Sequence, residues 1–406
     1  MHNNTAIWMN PYLCFGVLYC FFNSLFLPEG LLYTTLLTPL FFYMLFVYRQ
    51  FQTFTGITIV IILFFCIHYW QGVNGLFYIK SLILFLSAIV FGLAAYGAFM
   101  KIKSPDTLFR PMIYINALLL IPALISLLSG WALTFFWYLE PLSPGLPVIP
   151  RLSMMTYEAS YYSLLISPLV LYAIWSYLLK HGRQRTILLI AVLIPLFLSF
   201  SLGVMTGLFL SLMFTFLMSR QLLKNNRGAR MIALGIPLAL VLTIVVLYTW
   251  FPDNPLVLRL NNIMAGKDTS ARGRTYEAFD LAFRIAETKS IWFGIGLGQI
   301  KESARLLIIH YYNYTVIPEV VRIPNAVAEM LAIYGITGLF IRFFLQIFLF
   351  FKTKVYGNYF RLSLFLFIFI YQFTGSFIFN IAEYVIWALA FSNILPVFNK
   401  KQASEI

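Results

Sequence analysis

Long apolar segments recur along this chain, and short polar stretches separate them. A helix needs about 20 mostly apolar residues to cross the hydrocarbon core of a bilayer. Twelve segments approach that length, and their limits are 11–27, 30–48, 54–70, 76–99, 112–129, 156–179, 186–201, 203–219, 231–250, 325–351, 362–378 and 381–397. The pattern therefore predicts twelve transmembrane helices, with nine of them in 1–250, a large loop over 251–323, and the last three in 324–406.

Basic residues in the short connections alternate between the two sides of the predicted bundle. The Lys and Arg residues of one side cluster near 49, 101–110, 180–185, 220–230, 352–361 and 400–401. The opposite short turns, which lack Lys and Arg, lie near 29, 71–75, 202 and 380. Cytoplasmic loops carry an excess of basic residues. The alternation therefore predicts that both termini are cytoplasmic and that the large loop lies on the outer side.

Composition excludes a water-soluble globular protein. Hydrophobic residues make up 61% of the 406 residues and charged residues only 10%, whereas soluble domains carry about a quarter charged residues. The net charge of +14 follows from the basic loops, so we expect no nucleic-acid partner. The three cysteines lie in apolar runs without C-x-x-C spacing, and no D-x-D motif is present. We therefore expect no disulfide framework, no metal site and no cofactor.

Two outer connections are too long to be simple turns. The first, over 130–155, is rich in aromatic residues and proline, and we expect an irregular lid at the membrane interface. The second contains a predicted amphipathic helix over 272–290, whose apolar face carries Tyr276, Phe279, Phe283 and Ala286. We expect this helix to lie on the membrane surface or to cap the bundle.

The segment WFGIGLGQI follows this helix and places Gly294, Gly296 and Gly298 at alternate positions. It lacks the preceding strand and the following Lys-Ser or Lys-Thr pair that a nucleotide-binding loop requires. Two interpretations remain open. The glycines form either a flexible turn near the bilayer or a cradle in which backbone N–H groups approach an anion.

Ionisable and amide side chains gather at the outer ends of the predicted spans. They are His68, Lys80, Arg151, Glu158, Asn325, Glu329, Asn380 and Glu383. Such residues are costly in a membrane and mark function by default, although His68 and Lys80 also suit snorkelling. Two interpretations remain open for Glu383, which either lies at the membrane interface or pairs with Lys80. Arg342 lies deeper in its span and either pairs with a buried carboxylate or snorkels. The ring predicts a cavity open to the outer side, whose guanidinium groups suit phosphate recognition.

A spaced motif opens the tenth predicted span. Asn325 is followed by nine residues, Gly335, two residues and Gly338, and Pro324 precedes it. The arrangement resembles a signature of the O-antigen polymerases (Wzy-type) and O-antigen ligases, which are bacterial inner-membrane glycosyltransferases. Ligases have a catalytic histidine where Pro324 stands, so the resemblance favours a polymerase. By themselves, the two glycines also suit close helix packing.

Two further segments carry the same resemblance. Arg272 and Tyr276 precede the F-G-I-G-x-G block with family-like spacing, and the run RLSMMTYEASYYS, with Arg151 and Glu158, is similar to the segment before the middle span of many polymerases. A family arginine is missing from the hairpin SFSLGVMTGLFL. The resemblance implies an all-α, GT-C-like polytopic protein of the inner (cytoplasmic) membrane, with its active site facing the periplasm.

The resemblance also implies a metal-independent reaction. A sugar hydroxyl of an acceptor repeat unit attacks the anomeric carbon of a donor glycan and expels undecaprenyl pyrophosphate. The partners would be undecaprenyl-pyrophosphate-linked glycans, as donor and acceptor, and membrane lipids. A chain-length regulator is a further candidate partner. We assign the pyrophosphate to Arg151, Arg272, Arg274, Arg322 and Asn325. The candidates for a general base are Glu158 and Glu329.

Two other functions remain open at this level. An O-antigen ligase with an altered motif would transfer the glycan to lipid A core. A lipid-linked oligosaccharide flippase would also need many spans and a basic cavity, but its charges should lie near the bilayer midplane. The outer placement of the polar ring argues against the flippase.

Overall fold

The computed structural model of the protein describes residues 11–28, 31–102, 104–141, 147–312 and 322–400. Most of these residues are helical, and the strands among them are limited to β1 (Trp137–Tyr138) and β2 (Arg151–Leu152). The all-α architecture expected of a polytopic membrane protein is confirmed. The predicted turn near 29 and the part of the large loop at 313–321 lie outside the described residues.

Nineteen α-helices lie within the described part of the chain. The first seven are α1 (Pro11–Val17), α2 (Tyr33–Leu36), α3 (Thr38–Val47), α4 (Phe51–Trp70), α5 (Gly75–Lys101), α6 (Asp106–Ser129) and α7 (Leu133–Phe136). After the two strands come α8 (Ala159–Leu178), α9 (Arg185–Ser199), α10 (Leu202–Leu217), α11 (Arg220–Asn225), α12 (Arg227–Trp250) and α13 (Pro255–Met264). The last six are α14 (Thr269–Arg272), α15 (Tyr276–Glu287), α16 (Arg305–Tyr312), α17 (Ala326–Lys352), α18 (Tyr359–Tyr371) and α19 (Ile381–Phe391). A π-helical turn over Leu18–Phe22 extends α1, and 3₁₀ turns lie at Gln299–Lys301, Val355–Gly357 and Pro396–Phe398.

Five of the described helices are long and apolar enough to cross a membrane, namely α4, α5, α6, α8 and α17. A sixth arises if Val241–Trp250 and Pro255–Met264, which are bent by 103°, count as one span. Six further apolar helices are shorter, at 10–17 residues. Each of the twelve predicted segments overlaps one of these apolar helices. The helix positions therefore agree with the sequence, whereas the count of twelve crossings and their direction stay predictions.

Helix α8 is the centre of the larger hydrophobic core. Its sequence, ASYYSLLISPLVLYAIWSYL, is apolar on all sides, which is typical of a helix surrounded by protein, and almost all of it is buried. Helices α6, α9, α10, α18 and α19 pack around it. Trp175 is fully buried, stacks on Tyr359 of α18 and donates a hydrogen bond of 3.0 Å to Ser363. The central helix is thereby fixed in position, and with it the residues at its N-terminal end.

A smaller second core forms where α15 packs against the first half of α17. Half of the predicted apolar face of α15 was wrong: Ala286 is buried and Phe279 packs against this core, but Tyr276 is 80% exposed and Phe283 is 41% exposed. The rest of the buried face carries Ala278, Leu281, Ala282 and Ile285. Small side chains let two helices approach closely, and they hold this helix of the large loop against the bundle.

The first outer connection is more regular than the predicted irregular lid. Strands β1 and β2 pair in an antiparallel ribbon, with Tyr138 opposite Arg151. The indole nitrogen of Trp137 donates a hydrogen bond of 2.8 Å to the carbonyl oxygen of Ala123, which anchors the ribbon on α6. Residues 142–146 of the predicted lid lie outside the described residues. Because β2 ends shortly before α8, it brings Arg151 to the N-terminal end of the central helix.

Candidate functional site

A group of charged side chains meets at the N-terminal ends of α8 and α17. Its members are Arg151 of β2, Glu158 at the N-cap of α8, Arg259 of α13, Arg274 between α14 and α15, and Arg322 before α17. We call this group the arginine recess. Four of its residues were predicted from the sequence, and they come from segments far apart along the chain.

Electrostatics around Arg151 show that these charges act on one another. Burial lowers the pKa of its guanidinium, the neighbours Glu158 and Tyr138 raise it, and the positive charges of Arg259 and Arg274 lower it. The guanidinium carbon lies 4.9 Å from the centre of the Tyr138 ring. Like charges held in one partly buried place repel each other, and a bound anion would relieve that repulsion.

Two guanidinium groups of the recess have unused hydrogen-bond donors. The Nε atoms of Arg151 and Arg274 are buried, and neither has a hydrogen-bond partner among the described residues. Leaving a buried donor unpaired costs about 1–3 kcal/mol. The planar donors of arginine match the oxygens of a phosphate group. The recess is therefore chemically suited to an anion such as a phosphate or a diphosphate.

Tyr157 and Glu158 form one wall of the recess. Burial raises the pKa of the Tyr157 hydroxyl, Glu158 and Tyr371 raise it further, and the charge of Arg322 lowers it. Nevertheless, 42% of this side chain is exposed. A side chain that is deeply surrounded by protein and still accessible lies on a concave surface. Glu158 is partly buried, and its carboxylate accepts a hydrogen bond from the hydroxyl of Ser160.

Arg322 lies at the exposed edge of the recess. Its guanidinium carbon is 5.7 Å from the centre of the Phe377 ring. Its positive charge acts on both Tyr157 and Glu329. Arg322 is thus positioned between the wall formed by Tyr157 and the N-terminal turn of α17.

Arg272 lies apart from this group, although the sequence assigned it to the pyrophosphate. Its Nε donates a hydrogen bond of 2.6 Å to Glu277, and 48% of the side chain is exposed. The hydrogen bond with Glu277 raises the pKa of Arg272. The two arginines lie on either side of the turn between α14 and α15. Of the two, Arg274 is the one whose positive charge lowers the pKa of Arg151.

Sequence analysis did not identify Arg259 as a site residue. Its Nε donates a hydrogen bond of 3.2 Å to Asp268, whose side chain is fully buried. Asp268 also accepts a hydrogen bond of 2.9 Å from the backbone N–H of Ala271 at the start of α14. In the sequence Arg259 is one of many basic residues of the large loop, and no motif surrounds it. Nothing in the sequence therefore distinguishes it from the others.

Asn325 connects the recess to α17. Its Oδ1 accepts hydrogen bonds of 3.1 and 3.0 Å from the N–H groups of Val327 and Ala328, so it caps the helix. Its Nδ2 donates to the carbonyl oxygens of Arg274, at 2.9 Å, and Phe373, at 2.6 Å. The side chain is fully buried. In the structure, then, Asn325 positions Arg274 and has no surface left to contact a ligand.

Glu329 is held in a structural contact one turn deeper. It is buried, and its Oε2 accepts a hydrogen bond of 2.8 Å from the backbone N–H of Ile378. Ile378 belongs to the segment 372–380 between α18 and α19, and its carbonyl oxygen accepts a further bond of 2.8 Å from Tyr384. Glu329 therefore fixes this segment against the N-terminal end of α17.

A buried ion pair lies beneath the segment 372–380. Arg342 pairs with Glu383 and also donates hydrogen bonds of 3.0 and 2.9 Å to Gln372. Glu383 accepts further hydrogen bonds from Ser376, at 2.7 Å, and Trp387, at 3.2 Å. Of the open interpretations, the structure selects a buried carboxylate partner for Arg342. The alternative pair of Glu383 with Lys80 was wrong.

The glycine-rich segment does not offer an anion cradle. The N–H groups of Ile295 and Gly296 donate hydrogen bonds of 3.0 Å to the carbonyl oxygens of Ala332 and Ile333 in α17. In return, the carbonyl oxygen of Trp292 accepts a hydrogen bond of 3.1 Å from the N–H of Thr337. The N–H groups of Gly294, Ile295 and Gly296 are thus already used within the protein, which argues against the anion interpretation. The segment is also not a free turn, since it is bonded to a break in α17.

Gly335 forms that break. Its φ of 65° and ψ of −166° are not helical, and only glycine adopts such a conformation without strain. A β-carbon at Gly335 would overlap the backbone of Trp292. The helix-packing interpretation of this glycine was thus incomplete, because its backbone conformation lets α17 and the glycine-rich segment exchange hydrogen bonds.

His68 is fully buried rather than snorkelling. Its Nε2 donates a hydrogen bond of 2.7 Å to the carbonyl oxygen of Phe293, and its Nδ1 lies 3.1 Å from the hydroxyl of Tyr78. His68 therefore anchors the glycine-rich segment on α4 and α5. Among the described residues, no group of three or more His, Cys, Asp or Glu side chains is arranged to hold a metal ion.

Comparison with known proteins gives one family match. A family model described as O-antigen ligase matches residues 186–343. The matched range runs from α9 into α17 and includes Arg259, Arg274, Arg322 and Asn325. Arg151, with the rest of the first outer connection, precedes it. No curated protein matches the chain significantly.

Proposed function

We propose that this chain, whose residues 186–343 match a family model described as O-antigen ligase, polymerises undecaprenyl-pyrophosphate-linked oligosaccharide repeat units. The product is O-antigen or a related surface polysaccharide. The observation that carries this proposal is the arginine recess, where two partly buried arginines each keep a buried, unpaired Nε donor beside a partly exposed carboxylate. A diphosphate leaving group next to a general base requires these two features together.

The reaction joins two lipid-linked glycans. The terminal hydroxyl of the acceptor attacks the anomeric carbon of the donor, and a new glycosidic C–O bond forms. The bond between that carbon and the pyrophosphate oxygen breaks, and the hydroxyl proton passes to Glu158. Arg151, Arg274 and Arg322 stabilise the charge on the departing undecaprenyl pyrophosphate, which is the kind of electrostatic contribution that dominates many enzymes. Asn325 acts indirectly by holding Arg274.

Glu158 is the better candidate for the base. A general base must reach the hydroxyl that it deprotonates, and Glu158 is partly exposed in the recess. Glu329 is buried and already accepts the N–H of Ile378. We therefore assign the proton transfer to Glu158 and a positioning role to Glu329.

The twelve-span arrangement would put the recess on the periplasmic side of the inner membrane. It lies at the N-terminal ends of α8 and α17, which the distribution of basic loops assigns to the outer side. Headgroup depth is where the pyrophosphate of a lipid-linked glycan resides, while its polyprenyl chain stays in the hydrocarbon.

A polymerase is favoured over a ligase by the residues around the motif. Pro324 stands at the position of the ligase histidine. The description of the matching family model keeps the ligase as the second candidate.

Alanine variants of the recess arginines test the pyrophosphate assignment. Arg151→Ala, Arg274→Ala and Arg322→Ala should each shorten or abolish the polysaccharide ladder on gels, because one lost donor to a developing charge costs about 10²–10³-fold in rate. Arg284→Ala is the matched control, since Arg284 is 58% exposed and paired with Asp280 outside the recess. Protein amounts in the membrane should stay equal. Full-length ladders in all three recess variants would refute the assignment.

Deletion of the gene separates the three candidate functions. A polymerase deletion leaves one repeat unit on the core. A ligase deletion leaves unsubstituted core and polymer on the carrier lipid. A flippase deletion removes all periplasmic glycan, and either of the last two outcomes would contradict the proposal.

A further inference from the structure

Tyr157 carries an aromatic face that no step of the reaction above uses. One side of its ring stacks on Tyr161, with ring centres 4.6 Å apart and planes inclined by 25°. Tyr161 is buried in the bundle and provides a fixed support. Tyr157 is nevertheless 42% exposed, and the recess residues Glu158 and Arg322 act on its hydroxyl, so we infer that the free side of its ring borders the recess.

The surroundings of this ring suit a sugar, which has an apolar face of C–H groups and an edge of hydroxyl groups. Glu158 follows Tyr157 directly in the chain, and two further residues act on its hydroxyl, namely Arg322 from the segment before α17 and Tyr371 from α18. The face of an aromatic ring carries negative potential, so it attracts the weakly positive C–H groups that line one face of a pyranose. Hydroxyl groups at the edge of the same sugar would meet the carboxylate and the guanidinium.

We propose that Tyr157 is a stacking platform for the terminal pyranose of the acceptor glycan. This inference rests on the proposed function and adds a specific sugar subsite to it. A sugar lying on Tyr157 has its edge beside Glu158, which is the group that takes the proton of the attacking hydroxyl. The platform thereby orients the hydroxyl before reaction, and such positioning supplies a large part of the rate in two-substrate reactions.

The test uses the purified full-length protein with lipid-linked donor glycan and a soluble acceptor glycan that lacks the lipid. At fixed donor, Tyr157→Leu should raise the KM for the acceptor about tenfold, which corresponds to the loss of one aromatic contact. Tyr157→Phe keeps the ring and should stay within about twofold of the parent protein. Tyr276→Leu is the matched control, because Tyr276 is 80% exposed on α15, and its acceptor KM should not change.

Four outcomes separate failure of the platform from failure of the proposed function. An unchanged acceptor KM in Tyr157→Leu would overturn the platform. A Tyr157→Phe variant as impaired as Tyr157→Leu would also overturn it, since the hydroxyl rather than the ring would then be the active feature. If Arg151→Ala, Arg274→Ala and Arg322→Ala all retained full transfer, the proposed function itself would fail. Loss of transfer in Arg274→Ala with an unchanged acceptor KM in Tyr157→Leu would remove the platform alone. Thermal unfolding midpoints in detergent verify that each variant is folded.

Discussion

Glu158 and Glu329 each interact with an arginine of the recess, Glu158 with Arg151 and Glu329 with Arg322, yet their surroundings give them different roles. Glu158 ends an extended stretch of backbone at the N-cap of α8 and stays partly exposed. Glu329 is inside α17 and is committed to the backbone N–H of Ile378. Accessibility and free acceptor capacity separate a reacting carboxylate from a structural one, and both depend on neighbours distant in the sequence.

Paired glutamine variants test these roles. Glu158→Gln cannot accept the hydroxyl proton and should lose polymer by about 10²-fold or more, at an unchanged amount of protein. Glu329→Gln keeps an oxygen for the N–H of Ile378 and should retain the ladder. Gel analysis of surface polysaccharide, with immunoblots of the membrane fraction, makes the comparison. A normal ladder in Glu158→Gln and a lost one in Glu329→Gln would exchange the two assignments.

At the scale of the element, α17 is two helical pieces joined at Gly335. The carbonyl oxygens of Ala332 and Ile333 lose their helical partners there and accept N–H groups from the glycine-rich segment instead. In a membrane every backbone polar group needs a partner inside the protein. The break therefore depends on the inserted segment, and the segment in turn is held by His68 from α4.

The break makes a prediction about stability. Gly335→Ala should destabilise the protein by at least about 1–3 kcal/mol, because a non-glycine residue at this positive φ is strained and its β-carbon would overlap Trp292. Gly56→Ala on α4 is the control, since a β-carbon there meets no atom within 4 Å. Thermal unfolding in detergent at one scan rate measures both. Equal midpoints for the two variants would show that the break is not needed for folding.

The segment 372–380 is the second element whose position depends on long-range contacts. Asn325 and Glu329 bond its backbone from above, and the Arg342–Glu383 pair bonds its side chains from below. Removing one member of a buried ion pair leaves an uncompensated charge and is strongly destabilising. The polar residues of the two late spans α17 and α19 therefore share one structural role, which is to hold the segment 372–380 in position next to the recess.

At the scale of the whole molecule, the direction of insertion decides which compartment the recess faces. Cysteine labelling with a membrane-impermeant reagent tests it in a variant whose three native cysteines are replaced by serine. Tyr276→Cys on α15 should react when only the outer membrane is permeabilised. Arg183→Cys, an exposed position between α8 and α9, should react only after the inner membrane is disrupted. The reverse pattern would invert the topology and move the proposed site to the cytoplasm.

Local patterns along the sequence determined the class of the protein and the position of its helices. Each predicted apolar segment overlaps an apolar helix, because hydrophobicity over some twenty residues is a property of the segment alone. The same reasoning predicted that Arg151 and Glu158 lie at the outer end of a span, since charged groups avoid the hydrocarbon, and that Arg274 and Arg322 lie in the large outer loop. Those predictions needed no knowledge of which helices are neighbours.

Tertiary structure decided the features that depend on neighbours. The sequence pattern put Tyr276 on the buried face of α15, but the contact with α17 selected small alanines there. Arg272 and Arg274 look equivalent in the sequence, and only the turn between two helices directs Arg274 into the recess. Arg259 also lies in the recess, although no sequence motif surrounds it. The glycine-rich segment is hydrogen-bonded to α17 at the break that Gly335 forms. Hydrogen bonds and charge contacts between residues far apart in the chain carry these results, because their partners are set by packing and not by local periodicity.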